Sequence, residues 1–148
     1  MSVLYVYDFD DCLVNTRQVL EDNDWFTREN ISKLIIDDNP FGRQVSNLTT
    51  PLSTMVKAIE SSTTGHNIIL SGRSAAQIQY WLQKFRYDLY FKTVIGLALW
   101  GDISEHKKSV IERYLDRYDR VVFYDDKIEN IEAAQTLDKV TTHHVQPY

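Results

Sequence analysis

The 148-residue chain is long enough for a domain with a hydrophobic core, and its 43% apolar and 25% charged residues exclude a disordered protein. A formal net charge of -5 argues against a broad nucleic-acid-binding surface, although it leaves room for a local basic pocket. No apolar run approaches the ~20 residues that span a bilayer, and no signal-peptide pattern is present. Cys12 is the only cysteine, so an internal disulfide is excluded. We therefore expect a cytoplasmic protein that does not associate with a membrane.

The chain opens with an apolar, β-prone run at residues 2–8, which we predict to be a central parallel strand because both of its faces are apolar. Three acids crowd its end, at Asp8, Asp10 and Asp11. Carboxylates this close together repel one another, and removing them from water is costly without a cation. They are therefore either a solvated strand end or the surroundings of something positive.

Residues 14–50 show no strand pattern and are predicted to be a small insertion, or cap, after the first strand. Helices are expected over residues 14–20 and from Thr27 onward, the second being ended by Pro40, with a polar loop at residues 46–50. Four aromatic residues in loops near the expected site are candidates for substrate contact, namely Trp25, Phe26, Phe41 and Trp100.

Regular alternation of helices and strands follows this segment. A helix is expected to start at Pro51, with Thr50 as its cap. The elements expected after it are a strand at residues 67–71, a helix over 74–86, a strand over 89–94, a helix from Ser104, a strand over 120–124, a helix over 128–137 and a strand over 139–145. This order predicts a Rossmann-like three-layer α/β/α sandwich with a central parallel sheet, in a single domain spanning residues 1–148.

Chemically active residues lie at the expected carboxyl ends of the strands, where open α/β sheets bind ligands. The run Ser71-Gly72-Arg73 follows one strand, the pair Asp125-Asp126 ends another, and the pair Lys107-Lys108 lies near the start of a helix. Clustered carboxylates suit a hard cation such as Mg²⁺, while a serine, backbone amides and a lysine supply donors for an anion. A cation site beside an oxyanion site indicates phosphoryl transfer.

Four segments resemble, in order, the motifs of the haloacid dehalogenase (HAD) superfamily. Asp8-Phe9-Asp10 resembles the first motif, the strand ending in Ser71 the second, Lys107 or Lys108 the third, and Tyr124-Asp125-Asp126 the fourth. The strings around Ser71 and Asp126 are also similar to the HAD domain of Swiss-army-knife RNA-repair proteins and to polynucleotide 3′-phosphatases. Two residues depart from the pattern, since Asp11 stands where Gly is frequent and Cys12 where Thr or Val is frequent.

The resemblance implies a role for each matching residue. Asp8 would be the nucleophile that takes the phosphoryl group, and Asp10 would be the general acid and base. Ser71 would bind phosphoryl oxygens, and Lys107, with Lys108 as the alternative, would neutralise charge. The implied Mg²⁺ ligands are Asp8, Asp10 through its backbone carbonyl, Asp126 and its neighbour Asp125. The implied substrate-binding residues are Gly72, Arg73 and Lys108, although a surface role for Arg73 is equally open.

The function expected from this set is a Mg²⁺-dependent phosphohydrolase with an aspartyl-phosphate intermediate. Because the insertion is small, its substrate is expected to carry an accessible phosphate, such as a nucleic-acid end or a nucleotide. A local basic rim could favour such a substrate, formed by Arg43, Arg73, Lys84, Arg86, Lys92, Lys107 and Lys108. The alternatives are a non-catalytic phosphate- or partner-binding module, a phosphatase of a small metabolite, a dehalogenase and a phosphomutase.

Overall fold

A five-stranded sheet forms the centre of the molecule in the computed structural model, which describes residues 2–147. Its strands are β1 (Val3–Tyr7), β2 (His66–Ser71), β3 (Thr93–Gly96), β4 (Arg120–Asp125) and β5 (Val140–His144). They pair in the order β3-β2-β1-β4-β5, and every pairing is parallel. All carboxyl ends therefore lie at one edge, where β1 is the central strand.

Helices lie on both faces of this sheet and above its carboxyl edge. In chain order they are α1 (Thr16–Asp22), α2 (Arg28–Ser32), α3 (Pro40–Leu48), α4 (Thr54–Ser61), α5 (Ala75–Lys84), α6 (Ser104–Tyr114) and α7 (Ile128–Gln135). Successive side chains of a strand point to opposite faces, so Tyr7 packs in the apolar cluster on the side of α4 and α5. Leu4 and Val6 pack in the cluster on the side of α6 and α7. The predicted three-layer α/β/α sandwich is confirmed.

The segment between β1 and α4 carries the short helices α1, α2 and α3 and a small apolar cluster of its own. Val19, Leu20, Leu34 and Val45 are buried in it. The two ends of the segment meet at Asn15 and Thr50, where the Asn15 amide donates to the Thr50 carbonyl at 3.1 Å. The Thr50 amide in turn donates to the Asn15 side chain at 2.7 Å. These bonds close the insertion at its base and hold it over the carboxyl edge of the sheet.

Two helix starts differ from the sequence prediction, and both differences involve proline. Pro40 does not end a helix. It begins α3, because the Asn39 side chain caps the helix by accepting from the Gly42 amide at 2.9 Å and proline fits the first helical position. The predicted loop at residues 46–50 is therefore mostly helix. Pro51, in contrast, does not open α4. It lies in an isolated antiparallel bridge with Val14, and the helix begins at Thr54.

The strand predicted over residues 89–94 is also wrong in its position. A short 3₁₀ helix occupies Asp88–Tyr90, and Leu89 is 91% exposed, so the apolar side chain that suggested a buried strand points into solvent. The strand that forms there, β3, begins at Thr93.

Within residues 2–147, none of the helices has the length and apolar character needed to cross a membrane.

Candidate active site

A buried lysine joins two carboxylates at the carboxyl edge of the sheet. Lys107 on α6 is 1% exposed, and its Nζ lies 3.0 Å from Oδ1 of Asp8 and 2.6 Å from Oδ2 of Asp125. Asp8 directly follows β1, and Asp125 is the last residue of β4. Of the two candidate lysines, Lys107 is the one that contacts Asp8. Lys108 is only partly buried and lies outside the crevice lining that the described residues form.

The ionisation of this group reflects its burial. Burial raises the pKa of Asp8 well above its usual range, as does the charge of Asp125, whereas Lys107 opposes the shift. Burial alone would lower the pKa of Lys107, but the charges of Asp8 and Asp125 outweigh it and raise that pKa. Burial also raises the pKa of Asp126 to about 6, an effect that a hydrogen bond with Asp8 partly offsets. The lysine is therefore charged, and its charge only partly offsets the effect of burial on the carboxyl of Asp8.

The two adjacent acids at the end of β4 have different surroundings. Asp125 is fully buried and accepts from Lys107, from the Asn130 side chain at 3.0 Å and from the Lys127 amide at 2.9 Å. Its oxygens are thus engaged in holding the lysine and the start of α7. Asp126 is less buried and lines the crevice together with Asp8 and Asp10. Asp126 is therefore the more available ligand for a cation, and Asp125 serves mainly to hold Lys107.

The donor set fits a divalent cation. One oxygen from each of Asp8, Asp125 and Asp126 lies within 4.8 Å of the others, which is close enough for a shared ion. When ionised, these three acids and Lys107 carry a formal charge of about -2, which a single divalent cation would neutralise. Oxygen-only ligands are those that Mg²⁺ prefers. The residues present therefore fit the predicted Mg²⁺.

Asp10 has a different set of partners from Asp8. After Phe9 the chain turns sharply, because the amides of Leu13 and Val14 both point to the Phe9 carbonyl. Oδ1 of Asp10 accepts from the Thr16 hydroxyl and from Nη1 of Arg73, the latter at 3.0 Å. Its side chain remains 26% exposed on the crevice side. The carboxylate is thus held by one oxygen while the other, Oδ2, stays available.

The residue after Asp10 adopts a conformation that explains its departure from the family pattern. Asp11 has φ 61°, in the left-handed region that glycine adopts without strain. Its carboxylate accepts from the Arg17 amide at 2.8 Å. Asp and Asn tolerate this region better than most residues, so Asp11 replaces glycine here without disrupting the turn. Cys12 is fully buried against the site, and burial raises the pKa of its thiol, so it is not a reactive cysteine.

The run after β2 is shaped by close backbone contacts. Ser71 is 2% exposed, and its hydroxyl accepts from the Arg73 amide at 3.1 Å. The amide of Leu99 donates to the Gly72 carbonyl at 3.0 Å, which draws the loop after β3 against this turn. A Cβ at Gly72 would lie 2.5 Å from the Leu99 carbonyl oxygen, so only glycine fits. Both Ser71 and Gly72 line the crevice.

The mouth of the crevice is formed by the insertion on one side and the loop after β3 on the other. Phe26 is 45% exposed and Trp100 is 52% exposed, and both line it. An arginine lies over each ring. The Arg17 guanidinium is 5.1 Å from the centroid of Phe26, and the Arg28 guanidinium is 5.7 Å from the centroid of Trp100. Because Arg28 belongs to α2, its contact with Trp100 bridges the two sides.

Several predicted contacts lie elsewhere. Trp25 and Phe41 were predicted to contact substrate. Instead their rings pack edge to face on each other, with centroids 5.6 Å apart, and both lie against the apolar cluster of the insertion. The predicted basic rim does not form as a unit, since Arg73 and Lys107 are buried in ion pairs and the other five residues lie outside the crevice lining in residues 2–147. Arg73, predicted to contact substrate or solvent, does line the crevice, although only 2% of its surface is exposed.

The polar residues of the crevice that the sequence did not indicate include Thr16, Arg17 and Lys127. Thr16 lies in the helix expected over residues 14–20, and its hydroxyl donates to Asp10. Lys127 lines the crevice beside Asp126, and Arg17 lines it near the mouth. The contact of Thr16 could have been predicted from its position, because it begins the first helix after the acidic loop and so lies close to the end of β1. Nothing in the spacing identified Arg17 or Lys127.

Comparison with known proteins finds solved structures with a similar architecture. No family model matches the chain, and no curated protein matches it. Solved structures do match it. An L-2-haloacid dehalogenase from Xanthobacter autotrophicus superposes with a TM-score of 0.67 at 12% identity, covering 98% of this chain and 78% of the other. A HAD-superfamily hydrolase, subfamily IA, from Geobacter sulfurreducens gives 0.58 at 15% identity, covering 91% and 86%.

A third structure, described as a predicted phosphoglycolate phosphatase from Haemophilus somnus 129PT, gives a TM-score of 0.60 at 13% identity, covering 94% of this chain and 83% of the other. The chain therefore has the Rossmann-like α/β fold of the HAD superfamily. The fold hosts both dehalogenases and phosphatases by name, so the chemistry has to be argued from the site.

We expect the Asp126→Asn variant to be more stable than the wild-type protein in chelator at pH 7, by on the order of 1–2 kcal/mol. A carboxyl whose pKa is about 6 when folded favours its protonated form, so its ionisation destabilises the fold as the pH rises from about 4 through 6. Asparagine removes that charge. Thermal unfolding at pH 7 and at pH 4.5 measures the effect, and the difference between the variants should shrink at the lower pH.

The same scans with Mg²⁺ test the cation site. The wild-type midpoint should rise when Mg²⁺ is added at pH 7, because a ligand that binds the folded state stabilises it. The Asp126→Asn midpoint should rise much less. Equal Mg²⁺ shifts for the two proteins would show that Asp126 is not a ligand.

Proposed function

We propose that this protein is a Mg²⁺-dependent phosphohydrolase that forms an aspartyl-phosphate on Asp8. The observation that carries the proposal is the contact of Asp8 with Lys107, at 3.0 Å, beside a carboxylate cluster that suits a divalent cation. A nucleophile, a fixed positive charge and a cation site are what phosphoryl transfer requires, because catalysis there is mainly positioning and charge neutralisation. Ser71 lies in the same crevice, where its hydroxyl can bind a phosphoryl oxygen.

The reaction would proceed in two displacements at phosphorus. An oxygen of Asp8 attacks the phosphorus, the bond to the leaving oxygen breaks, and Asp10 donates its proton to that oxygen. Water then attacks the phosphorus of the aspartyl-phosphate, Asp10 takes the proton of that water, and the bond to Asp8 breaks to release phosphate. Lys107 holds Asp8 in place and neutralises charge throughout. When bound, Mg²⁺ supplies positive charge that stabilises the phosphoryl oxygens and the ionised form of Asp8.

The carboxylate cluster distinguishes this reaction from dehalogenation. Displacement of a halide by the first aspartate needs no metal, so it gives no reason to hold three acids around one lysine. Burial raises the pKa of Asp8 and of Asp126, and a bound cation would favour the ionised form of both. A divalent cation and a phosphate ester give all of these groups a use. A non-catalytic binding module remains the second candidate, and it would retain the cation site while lacking turnover.

For the substrate, we propose a nucleotide or a nucleic-acid end. What supports this is the mouth of the crevice, where the exposed rings of Phe26 and Trp100 offer stacking surfaces and Lys127 offers positive charge, beside an Arg17 that is paired with Glu21 at 2.8 Å. A nucleobase beside a phosphate matches such a mouth, since bases stack on aromatic side chains at about 1–3 kcal/mol each. The chain's overall acidity limits the basic contacts to this local group.

A substrate panel tests the assignment. It compares 3′-phosphorylated oligonucleotides, 5′-phosphorylated oligonucleotides, mononucleotides and sugar phosphates, each with Mg²⁺ and with chelator. We expect Mg²⁺-dependent phosphate release, with a higher kcat/KM for one of the three nucleotide classes than for sugar phosphates. Among those classes, preference for oligonucleotides over mononucleotides would identify a nucleic-acid end as the substrate.

We further expect Trp100→Ala to lower kcat/KM for the preferred nucleotide substrate by about 10-fold, because it removes a stacking surface. Sugar phosphates should change by less than about 2-fold. Leu89→Ala is a suitable control, because Leu89 is exposed and lies outside the crevice. An equal loss on sugar phosphates, or a sugar phosphate as the best substrate, would refute the nucleotide assignment while leaving the phosphohydrolase mechanism intact.

A further inference from the structure

The guanidinium of Arg73 is buried at the junction between the sheet and the insertion. Its side chain is 1% exposed, and its Nη1 lies 3.0 Å from Oδ1 of Asp10. Its Nη2 donates to the Ser46 hydroxyl at 3.1 Å and to the Gly42 carbonyl at 3.4 Å, and its Nε donates to Gln77 at 3.2 Å. Ser46 and Gly42 both belong to α3. The same side chain therefore contacts the proposed acid and base and the last helix of the insertion.

We propose that Arg73 is a positioning residue, which orients the carboxylate of Asp10 and couples that carboxylate to α3 of the insertion. This inference rests on the proposed role of Asp10 in the phosphohydrolase reaction. Both hydrogen bonds to Asp10 from the described residues, from Thr16 and Arg73, go to Oδ1. Oδ2 is thus the oxygen that exchanges a proton with the leaving group and with water. The direction in which Oδ2 points is set by the hydrogen bonds that Oδ1 accepts, because the two oxygens belong to one rigid carboxylate.

The surroundings of Arg73 argue against the alternative, that it binds the substrate phosphate. An arginine offers five N–H donors, and four hydrogen bonds to protein acceptors already use this guanidinium. Its positive charge is desolvated, and Asp10 is the carboxylate that compensates it. Turning toward a phosphate would leave Asp10 without its partner and break the contacts with α3.

A second layer of contacts fixes the insertion behind Arg73. Gln77 on α5 accepts from Arg73 and donates to the carbonyls of Lys33 and Ile36, each at 2.9 Å. These carbonyls lie between α2 and α3. A Cβ at Gly42 would lie 2.5 Å from the Gln77 side chain, so glycine permits this close approach of α3 and α5. Displacement of the insertion would therefore be transmitted through Arg73 to Asp10.

The first experiment measures the dependence on the leaving group. Arg73→Met and Arg73→Lys are compared with wild-type protein on an alkyl phosphate and on p-nitrophenyl phosphate, whose leaving group needs little protonation. A misplaced general acid slows the alkyl ester most. We expect Arg73→Met to lower kcat by about 100-fold or more on the alkyl ester and by less than about 10-fold on the aryl ester, with KM within about 2-fold. Arg73→Lys, which keeps the charge, should recover part of the loss.

Two kinetic outcomes would overturn the proposal. Equal losses of kcat on both esters would show that Arg73 does not act through proton transfer by Asp10. A raised KM with unchanged kcat would show that Arg73 binds substrate. Arg43→Met is the matched control, because Arg43 is an exposed arginine on α3 that is paired with Asp38, and its loss should leave turnover of both esters unchanged.

Hydrogen–deuterium exchange tests the coupling without relying on activity. In Arg73→Met, and in Ser46→Ala, amides of residues 40–48 should exchange faster, while those of β1 and β4 stay as protected as in wild type. Ser46→Ala keeps the pair between Arg73 and Asp10 but loosens the contact of Arg73 with α3, so its ratio of alkyl to aryl turnover should fall between those of wild type and Arg73→Met. Unchanged protection of residues 40–48 in both variants would overturn the coupling. A wild-type protein inactive on every ester would instead overturn the proposed function, and the exchange result would still decide the coupling.

Discussion

Replacing Asp8 with asparagine is expected to lower kcat for phosphate release by about 10⁴-fold or more. The amide is nearly the same size as the carboxylate but is not a nucleophile, so the covalent step through Asp8 is lost. The fold should survive, because Lys107 keeps its 2.6 Å contact with Asp125 and the variant removes a carboxylate whose pKa is already raised by burial. Phosphate release under saturating substrate and Mg²⁺, alongside circular dichroism, measures both effects.

Asp116→Asn is a matched control for this substitution. Asp116 is an exposed carboxylate that follows α6, so the same chemical change there should leave kcat within about 2-fold of wild type. If Asp8→Asn retained more than about a tenth of wild-type turnover, Asp8 would not be the nucleophile.

Replacing Lys107 with methionine is expected to lower the free energy of unfolding by about 3–5 kcal/mol at pH 7. The change leaves Asp8 and Asp125 buried beside each other with no positive partner, and uncompensated buried charge is among the costliest defects in a protein. Acid should reduce the loss, because carboxyls with raised pKa values bind protons in the folded state as the pH falls. Urea unfolding at pH 7 and at pH 5 measures the stability and its pH dependence.

Two comparisons separate charge from packing in this result. Lys108→Met removes the neighbouring lysine, which lies outside the crevice lining, and should change stability by less than about 0.5 kcal/mol. Adding Asp125→Asn to Lys107→Met should recover part of the loss, because it removes one of the two unpaired charges. If the double variant were no more stable than Lys107→Met, the loss would reflect packing, and the charge account of the site would be wrong.

The strand ends and their acids could be predicted because they depend on local pattern. An apolar run that breaks into Asp8, Asp10 and Asp11 is visible in one segment, and so is the run that ends in Asp125 and Asp126. Alternation of such runs with amphipathic helices determined the sheet and its layers, which the structure confirms. The choice between Lys107 and Lys108 stayed open, since one residue of helical rotation decides which of them faces the sheet.

The insertion could not be predicted in the same way, because its helices are short and depend on capping. Asn39 and Pro40 form a turn in one context and a helix start in another, and the difference lies in whether the Asn39 side chain meets the Gly42 amide. The burial of Arg73 was also beyond local pattern. It depends on the approach of α3 to α5, more than twenty residues apart in sequence, which places Ser46 and Gln77 around one guanidinium.

The most direct test of the mechanism is to find the phosphoryl group on the protein. Wild-type protein turning over a phosphate ester with Mg²⁺ is quenched in acid and treated with borohydride, which reduces an aspartyl-phosphate to homoserine, and peptide mass spectrometry then locates the change. The mechanism predicts homoserine at position 8, dependent on substrate and absent from Asp8→Asn. Phosphate release without modification at position 8, or modification at another acid, would contradict it.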